Sequence, residues 1–282
     1  MNVNEREDML NAAQHLHVTR LFLNIGDYLD GKEGVNNSFH EKAYEVSLSE
    51  FISLASQKGI AVEALSGGPM WAESSHRYLS FLIIDFVHQY NLDYPSAKFS
   101  GIQFDIEPHS LPEFKKDPES VMQHYIQLII DLTDYFKKKN YEPIPLGFTT
   151  PSWYYEDGGK APEVKYAASS LLLGKAILQQ LNNYGEGYVV LMSYRNHATG
   201  TNGSVAISQD ALSYAEKNTP HVRVYIGQET TNVGESGVSY YGKTYQDFQR
   251  NLEFIQNAFE NKSVYSGIAV HRLSSLISLS KN

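Results

Sequence analysis

The sequence predicts a (β/α)8 barrel whose first strand is degenerate or absent, and three observations carry that expectation. Seven short runs rich in β-branched and aromatic residues alternate with longer amphipathic segments, as repeated strand and helix units around a parallel sheet require. The 282 residues are 42% apolar and 20% charged, the balance of a chain that buries a core. No run of Gly, Ser and Pro long enough to be a linker interrupts the alternation, so one domain over residues 1–282 is expected, a length that barrels reach as a single unit.

The strands are expected at 19–26, 60–66, 100–107, 144–150, 188–194, 222–228 and 265–271. Helical patterns fall at 4–17, 47–58, 73–91, 118–139, 161–183, 208–218 and 244–260. Several starts carry local signals: Ser47 and Ser49 precede Phe51-Ile52, Asp117-Pro118 opens the fourth helix, and Ser208 precedes Ala211-Leu212. Seven strands are one short of a closed barrel, and the chain opens on a helix. The first strand is therefore degenerate, or it is encoded upstream of Met1.

Charge and composition narrow the partners. A net charge of −9 without a basic stripe argues against nucleic acid. The longest apolar stretch, 78–87, is broken by Ser80 and Asp85 and is too short to span a bilayer, so no membrane partner is expected. The polar, acidic start at 1–8 does not read as a signal peptide, which makes the cytoplasm the default location and export dependent on a leader further upstream. With no cysteine there is no thiolate nucleophile or thiolate metal site. The ten histidines show no His-x-x-x-His pair, so neither a metal nor another cofactor is expected. Oligomeric state is left open.

In a parallel barrel strand both faces are normally apolar, so polar residues mark the lumen near its open mouth. Run 100–107 places Gln103, Asp105, Glu107 and His109 on one face and Ile102, Phe104 and Ile106 on the other. Two carboxyls that close cannot both ionise cheaply, which leaves one protonated near neutral pH and able to protonate a departing glycosidic oxygen. Glu107, nearer the mouth, is the expected acid, with Asp105 assisting. The plain alternative is a buried carboxylate pair satisfied by backbone or by an Arg.

Segment Ser100-Gly-Ile-Gln-Phe-Asp-Ile-Glu107-Pro108 resembles the strand-four signature of glycoside hydrolase family 18, the chitinase-like barrels, Asp-Gly-x-Asp-x-Asp-x-Glu. Asp105 and Glu107 match the last Asp and the Glu, while Ser100 and Gln103 stand at the first two Asp positions. Leu191-Met-Ser-Tyr-Arg195 is similar to the strand-six Met-x-Tyr-Asp, with Tyr194 matching and Arg195 in place of the Asp. Leu65-Ser-Gly-Gly68 lies near the strand-three Ser-x-Gly-Gly, shifted by one residue, and the strand-eight Trp position falls on His271. The resemblance implies that Glu107 is the acid, that Asp105 positions the sugar's N-acetyl group as internal nucleophile, and that Tyr194 belongs to the site. The departures leave the sugar open.

Together these readings point to a hydrolase of O-glycosyl bonds acting on a bacterial or environmental polysaccharide or oligosaccharide, with catalytic candidates Glu107, Asp105, Tyr194 and Glu229. Glu229 enters because it follows Tyr225-Ile-Gly-Gln228 at a strand end, where a second carboxylate could serve as nucleophile opposite Glu107. Substrate-binding candidates are Asn24, Gln103, His109, Trp71, Trp153, Arg195 and His271, with Asn24 and Gln103 supplying hydrogen-bonding scaffold. Aromatic clusters after the strands (Trp71, Trp153-Tyr154-Tyr155, Tyr240-Tyr241) suit the apolar faces of sugar rings. Two other readings stay open: a catalytically degenerate barrel that binds glycan, and a metal-dependent phosphodiesterase using Asp105, Glu107 and His109 with Asp27 and Asp30.

Overall fold

The computed structural model describes residues 3–26, 38–157 and 161–281. Seven strands run parallel in one curled sheet: β1 (Arg20–Asn24), β2 (Ala61–Ser66), β3 (Ile102–Phe104), β4 (Leu146–Pro151), β7 (Gly187–Met192), β8 (Arg223–Glu229) and β9 (Tyr265–His271). Their order in the sheet follows their order in the chain, the signature of right-handed strand–helix–strand repeats around a barrel. Among the described residues no strand joins β9 back to β1, so the sheet holds seven strands where a closed barrel has eight.

Helices α1 (Val3–His15), α2 (Ser38–Gln57), α3 (Tyr78–Asp93), α4 (Pro118–Lys139), α5 (Leu173–Tyr184), α6 (Ser204–Asn218), α7 (Tyr245–Phe259) and α8 (Leu273–Leu279) cover the sheet. None of the described helices is long and apolar enough to cross a membrane. α1 packs against both α2 and α8, which keeps the outer layer continuous across the gap between β1 and β9. α4 shows how local sequence sets an element. Asp117 accepts a hydrogen bond from Ser120 N at 3.0 Å, Pro118 occupies the first turn, Lys137, Lys138 and Lys139 meet the negative end of the helix, and Asn140 ends it in the left-handed conformation.

One expected element is different. Residues 161–183 are not one helix: β5 (Glu163–Tyr166) and β6 (Ser169–Leu172) form an antiparallel hairpin before α5 begins. Val164 and Tyr166 are buried while Glu163 and Lys165 are exposed, and this period of two favours strand over helix. Run 100–107 also contributes only three residues to the ladder. Asp105 N still donates to Ser66 O at 3.0 Å, after which Pro108, lacking an N–H, starts a 3-10 turn at Pro108–Ser110.

The lumen is built in tiers. At the amino ends of the strands Glu63, 0% exposed, takes bonds from Arg20 and from the Tyr188 hydroxyl, and the Arg20 and Arg223 guanidinium groups lie 5.6 Å from the Tyr225 and Tyr188 ring centres. Gly147 makes this floor possible, because a Cβ there would sit 2.1 Å from the Tyr188 ring. The middle tier is neutral: Gln103 Nε2 donates to Thr149 Oγ1 at 2.8 Å. Above it, past the carboxyl ends of the strands, lie Asp105 and Glu107.

Candidate active site

Asp105 leaves the end of β3 with its side chain open to the lumen but ringed by protein atoms. This crowding raises its carboxyl above the ordinary carboxylate range, and a hydrogen bond with Thr149 and the charge of His271 offset the rise only in part. Its backbone is fixed by close contact: a Cβ on Gly67 would fall 2.2 Å from the Asp105 carbonyl oxygen. Only glycine lets the loop after β2 lie so near the end of β3.

Glu107 is half-buried one step further out, at the start of the 3-10 turn. Burial pushes its carboxyl up and the charge of Asp105 adds to the push. Among the described residues no side chain or backbone group hydrogen-bonds that carboxyl. Its surroundings hold phenols instead. Tyr154 and Tyr125, both buried, and Tyr194 all lie close enough to feel its charge, and burial holds every one of these hydroxyls well above its ordinary value, so they stay protonated. Tyr194 senses Asp105, Glu229 and Glu107 together.

The other candidates separate. His109 has left the face shared by Gln103 and Asp105, because the turn at Pro108 breaks the alternation. Its Nδ1 lies 3.0 Å from the Tyr154 hydroxyl and its ring stands edge-on to Trp153 and Tyr154. Burial lowers its imidazole, which favours the neutral form. Trp153 is half-buried between His109, Phe114 and Tyr154, and Trp71, 8% exposed, packs edge-on to Phe104. Tyr240 and Tyr155 are buried; Tyr241 is exposed. Asn24 Oδ1 accepts from Gly26 N at 2.7 Å, closing a turn at the end of β1. Arg195 is turned to its own loop, donating to Tyr194 O and to Asn202 Oδ1.

Glu229 and His271 are brought together by the register of β8 on β9, in which they face each other. His271 Nδ1 donates to Glu229 Oε2 at 2.8 Å, while Thr231 N and Oγ1 donate to Oε1 at 2.6 and 2.7 Å. Burial alone would raise the Glu229 carboxyl, 3% exposed, but these hydrogen bonds outweigh it and hold the group below its ordinary value. The same bond raises the His271 imidazole against the opposing effect of burial. The peptide between His271 and Arg272 is cis.

Thr149 and Thr231, which anchor Asp105 and Glu229, went unmarked in the sequence. The one signal for them was a hydroxyl at or just beyond a strand end, beside a polar residue of the same or a neighbouring strand. No group of three His, Asp or Glu side chains is arranged to hold a metal ion among the described residues, and Asp27 and Asp30 lie outside those residues.

Neither a known family's sequence profile nor any curated protein sequence matches this chain. Solved structures match it in fold. A family 18 chitinase of Cycas revoluta, in complex with (GlcNAc)3, aligns with a TM-score of 0.55 at 13% identity, over 97% of this chain and 92% of its own. A family 18 chitinase of Pseudoalteromonas aurantia gives 0.53 at 17% identity over 82% and 78%. The spore cortex-lytic enzyme SleL of Bacillus cereus gives 0.53 at 12% identity over 96% and 69%. The chain has the barrel fold of the family 18 chitinases, in the divergent form that the altered motif positions imply.

Proposed function

We propose that the protein is a glycoside hydrolase cleaving O-glycosyl bonds of a polysaccharide or oligosaccharide, with Glu107 as the proton donor and Asp105 assisting. One observation carries this reading: Glu107 stands at the mouth of the barrel with no hydrogen bond to its carboxyl among the described residues, where burial and the charge of Asp105 push that carboxyl above its ordinary value. A carboxyl satisfied for structural reasons alone would be paired, as Glu63 and Glu229 are. The proton of Glu107 passes to the leaving oxygen as the bond from that oxygen to the anomeric carbon breaks. On a sugar with a 2-acetamido group, the acetamido oxygen closes on the anomeric carbon while ionised Asp105 stabilises its nitrogen. Water then opens the ring and returns a proton to Glu107.

The barrel likeness to structures solved with N-acetylglucosamine oligomers makes those oligomers the first substrates to try. The test is a panel of aryl glycosides and oligosaccharides assayed with the wild-type protein and Glu107→Gln. Turnover by the wild type, abolished in the variant, is the expected result. Glu229 as nucleophile is the weaker arrangement, since its carboxylate already accepts three hydrogen bonds.

A glycan-binding barrel without turnover is the second reading. It is favoured by the neutral Gln103 below Asp105 and by an Arg195 committed to its own loop. Binding without turnover, unchanged in Glu107→Gln, would establish it.

A further inference from the structure

We propose that the amino end of the barrel lumen holds a binding site for a small oxyanion, a phosphate or carboxylate group taken by the guanidinium of Arg223, with Arg20 as the second cation of the same tier. The site lies at the other end of the strands from Asp105 and Glu107 and does not depend on the hydrolase reading.

Side-chain contacts build this tier. Arg20, the first residue of β1, donates to Glu63 Oε1, and the Tyr188 hydroxyl of β7 donates to Glu63 Oε2, so each oxygen of that buried carboxylate already holds a donor. The Tyr188 ring carries the Arg223 guanidinium 5.6 Å from its centre and stands edge-on to the Tyr225 ring, also 5.6 Å away. The Arg20 guanidinium lies 5.6 Å from the centre of the Tyr225 ring, and Phe22 stacks on Tyr188 at 6.2 Å. Two cations therefore flank one pair of rings. Arg223 Nη2 is buried there and has no hydrogen-bond acceptor among the described residues.

A guanidinium keeps its charge at any pH a folded protein meets, and a buried N–H of a charged group left without an acceptor is costly. Buried polar groups are paired with few exceptions, and an exception marks a place for a water or an ion. Aromatic faces attract the cation but leave its in-plane N–H groups unsatisfied. Glu63 is the one carboxylate in this tier among the described residues, and the charges of both Arg20 and Arg223 act on it, which leaves a positive excess inside a chain of net charge −9. Water would satisfy the N–H and leave the charge. An oxyanion meets both, and the planar fork of Arg matches two oxygens of a phosphate or carboxylate. The tier is also within reach of solvent. Among the described residues the sheet does not close between β9 and β1, and Arg20, Phe22, Arg223 and Tyr225 are only half-buried. The ladder of β8 on β9 pairs Val224 and Ile226 and skips Tyr225, and a Cβ on Gly267 in the facing stretch of β9 would meet nothing within 4 Å.

Thermal melting at constant pH and ionic strength tests the site, because a ligand that binds only the folded chain raises the midpoint and does so saturably. Inorganic phosphate at about 10 mM, or acetate in a parallel series, should raise the midpoint by about 2 °C or more over chloride, and the larger of the two shifts tells phosphate from carboxylate. Folded Arg223→Gln should lose the shift. Glu63→Gln, which removes the competing carboxylate, should enlarge it. Equal midpoints in phosphate, acetate and chloride would overturn the proposal, as would a shift that survives Arg223→Gln or one that grows without saturating. Should Arg223→Gln not fold, NMR on the wild type decides the matter: the Arg223 Nε–H resonance moves saturably with added phosphate or acetate if the site exists, and a resonance unmoved by both overturns it.

Discussion

Gly67→Ala tests how tightly the loop after β2 holds the end of β3 at Asp105. The added Cβ would lie 2.2 Å from the Asp105 carbonyl oxygen, 2.5 Å from its carbonyl carbon and 2.8 Å from its nitrogen, all three of them backbone atoms. Ordinary contact begins near 3.4 Å, so the two segments must part by about 1 Å. No side-chain rotation can relieve the clash, and Asp105 N is tied to Ser66 O next door. Overpacking of this kind costs about 1–3 kcal/mol, and a displacement of about 1 Å at a reacting group costs about 100-fold in rate. Urea denaturation and kcat on the best glycoside of the panel measure the two effects. Gly185→Ala is the comparison: its φ of +94° also disfavours a side chain, but nothing lies within 4 Å of the new Cβ. It should lower stability and leave kcat alone. Equal behaviour of the two variants, or a Gly67→Ala protein with wild-type kcat, would refute the coupling of this loop to Asp105.

Glu107→Gln should lower kcat by about 100- to 10,000-fold, the range for loss of a general acid, without loss of stability, because a carboxyl raised in the folded state by burial and Asp105 works against folding at neutral pH; activity and thermal melting check both. Glu63→Ala leaves Arg20 without its buried partner and the Tyr188 hydroxyl without its acceptor; denaturation should show a loss of about 3–5 kcal/mol. The Glu229–His271 pair also predicts a pH window for stability. The lowered Glu229 contributes above its ordinary value of 4.5 and the raised His271 contributes below its ordinary value of 6.5. The stability gap between wild type and His271→Gln should therefore be widest from pH 4.5 to 6.5, shrinking on either side, as melting curves across pH will show.

What the sequence disclosed was what is decided locally. Helix 118–139 was legible because its cap, its first-turn proline and its terminal lysines are all within the segment. Asp105 and Glu107 were legible because polar residues in an apolar parallel strand have only the lumen to face. The hairpin at 163–172 was not, since its alternation lasts four residues per strand and runs directly into the pattern of α5. Nor was the pairing of Glu229 with His271, which are 42 residues apart and meet only through the register of β8 on β9. Trp71 read as a mouth residue because it follows β2, but the 3-10 turn Pro69–Ala72 directs it inward onto Phe104.

The Glu229–His271 pair and the Asp105–Glu107 carboxyls sit beside strands of unequal security. β4, beside the carboxyl pair, is buried at all six positions, whereas six of the seven residues of β9 are only half-buried and the seventh, His271, is exposed. β9 pairs with β8 alone among the described strands, and its ladder is interrupted by a register shift between Val224 and Ile226. Local opening follows solvent exposure and sparse burial of hydrogen bonds, so β9 should open more readily than β4. Amide hydrogen exchange followed by mass spectrometry should find peptides covering Tyr265–His271 exchanging well before those covering Leu146–Pro151. Low denaturant should then break the Glu229–His271 pair before it lowers the signal from the core. Equal protection of β9 and β4 would mean that something covers the edge beside β1, and the Glu229–His271 pair would then be as secure as the core itself.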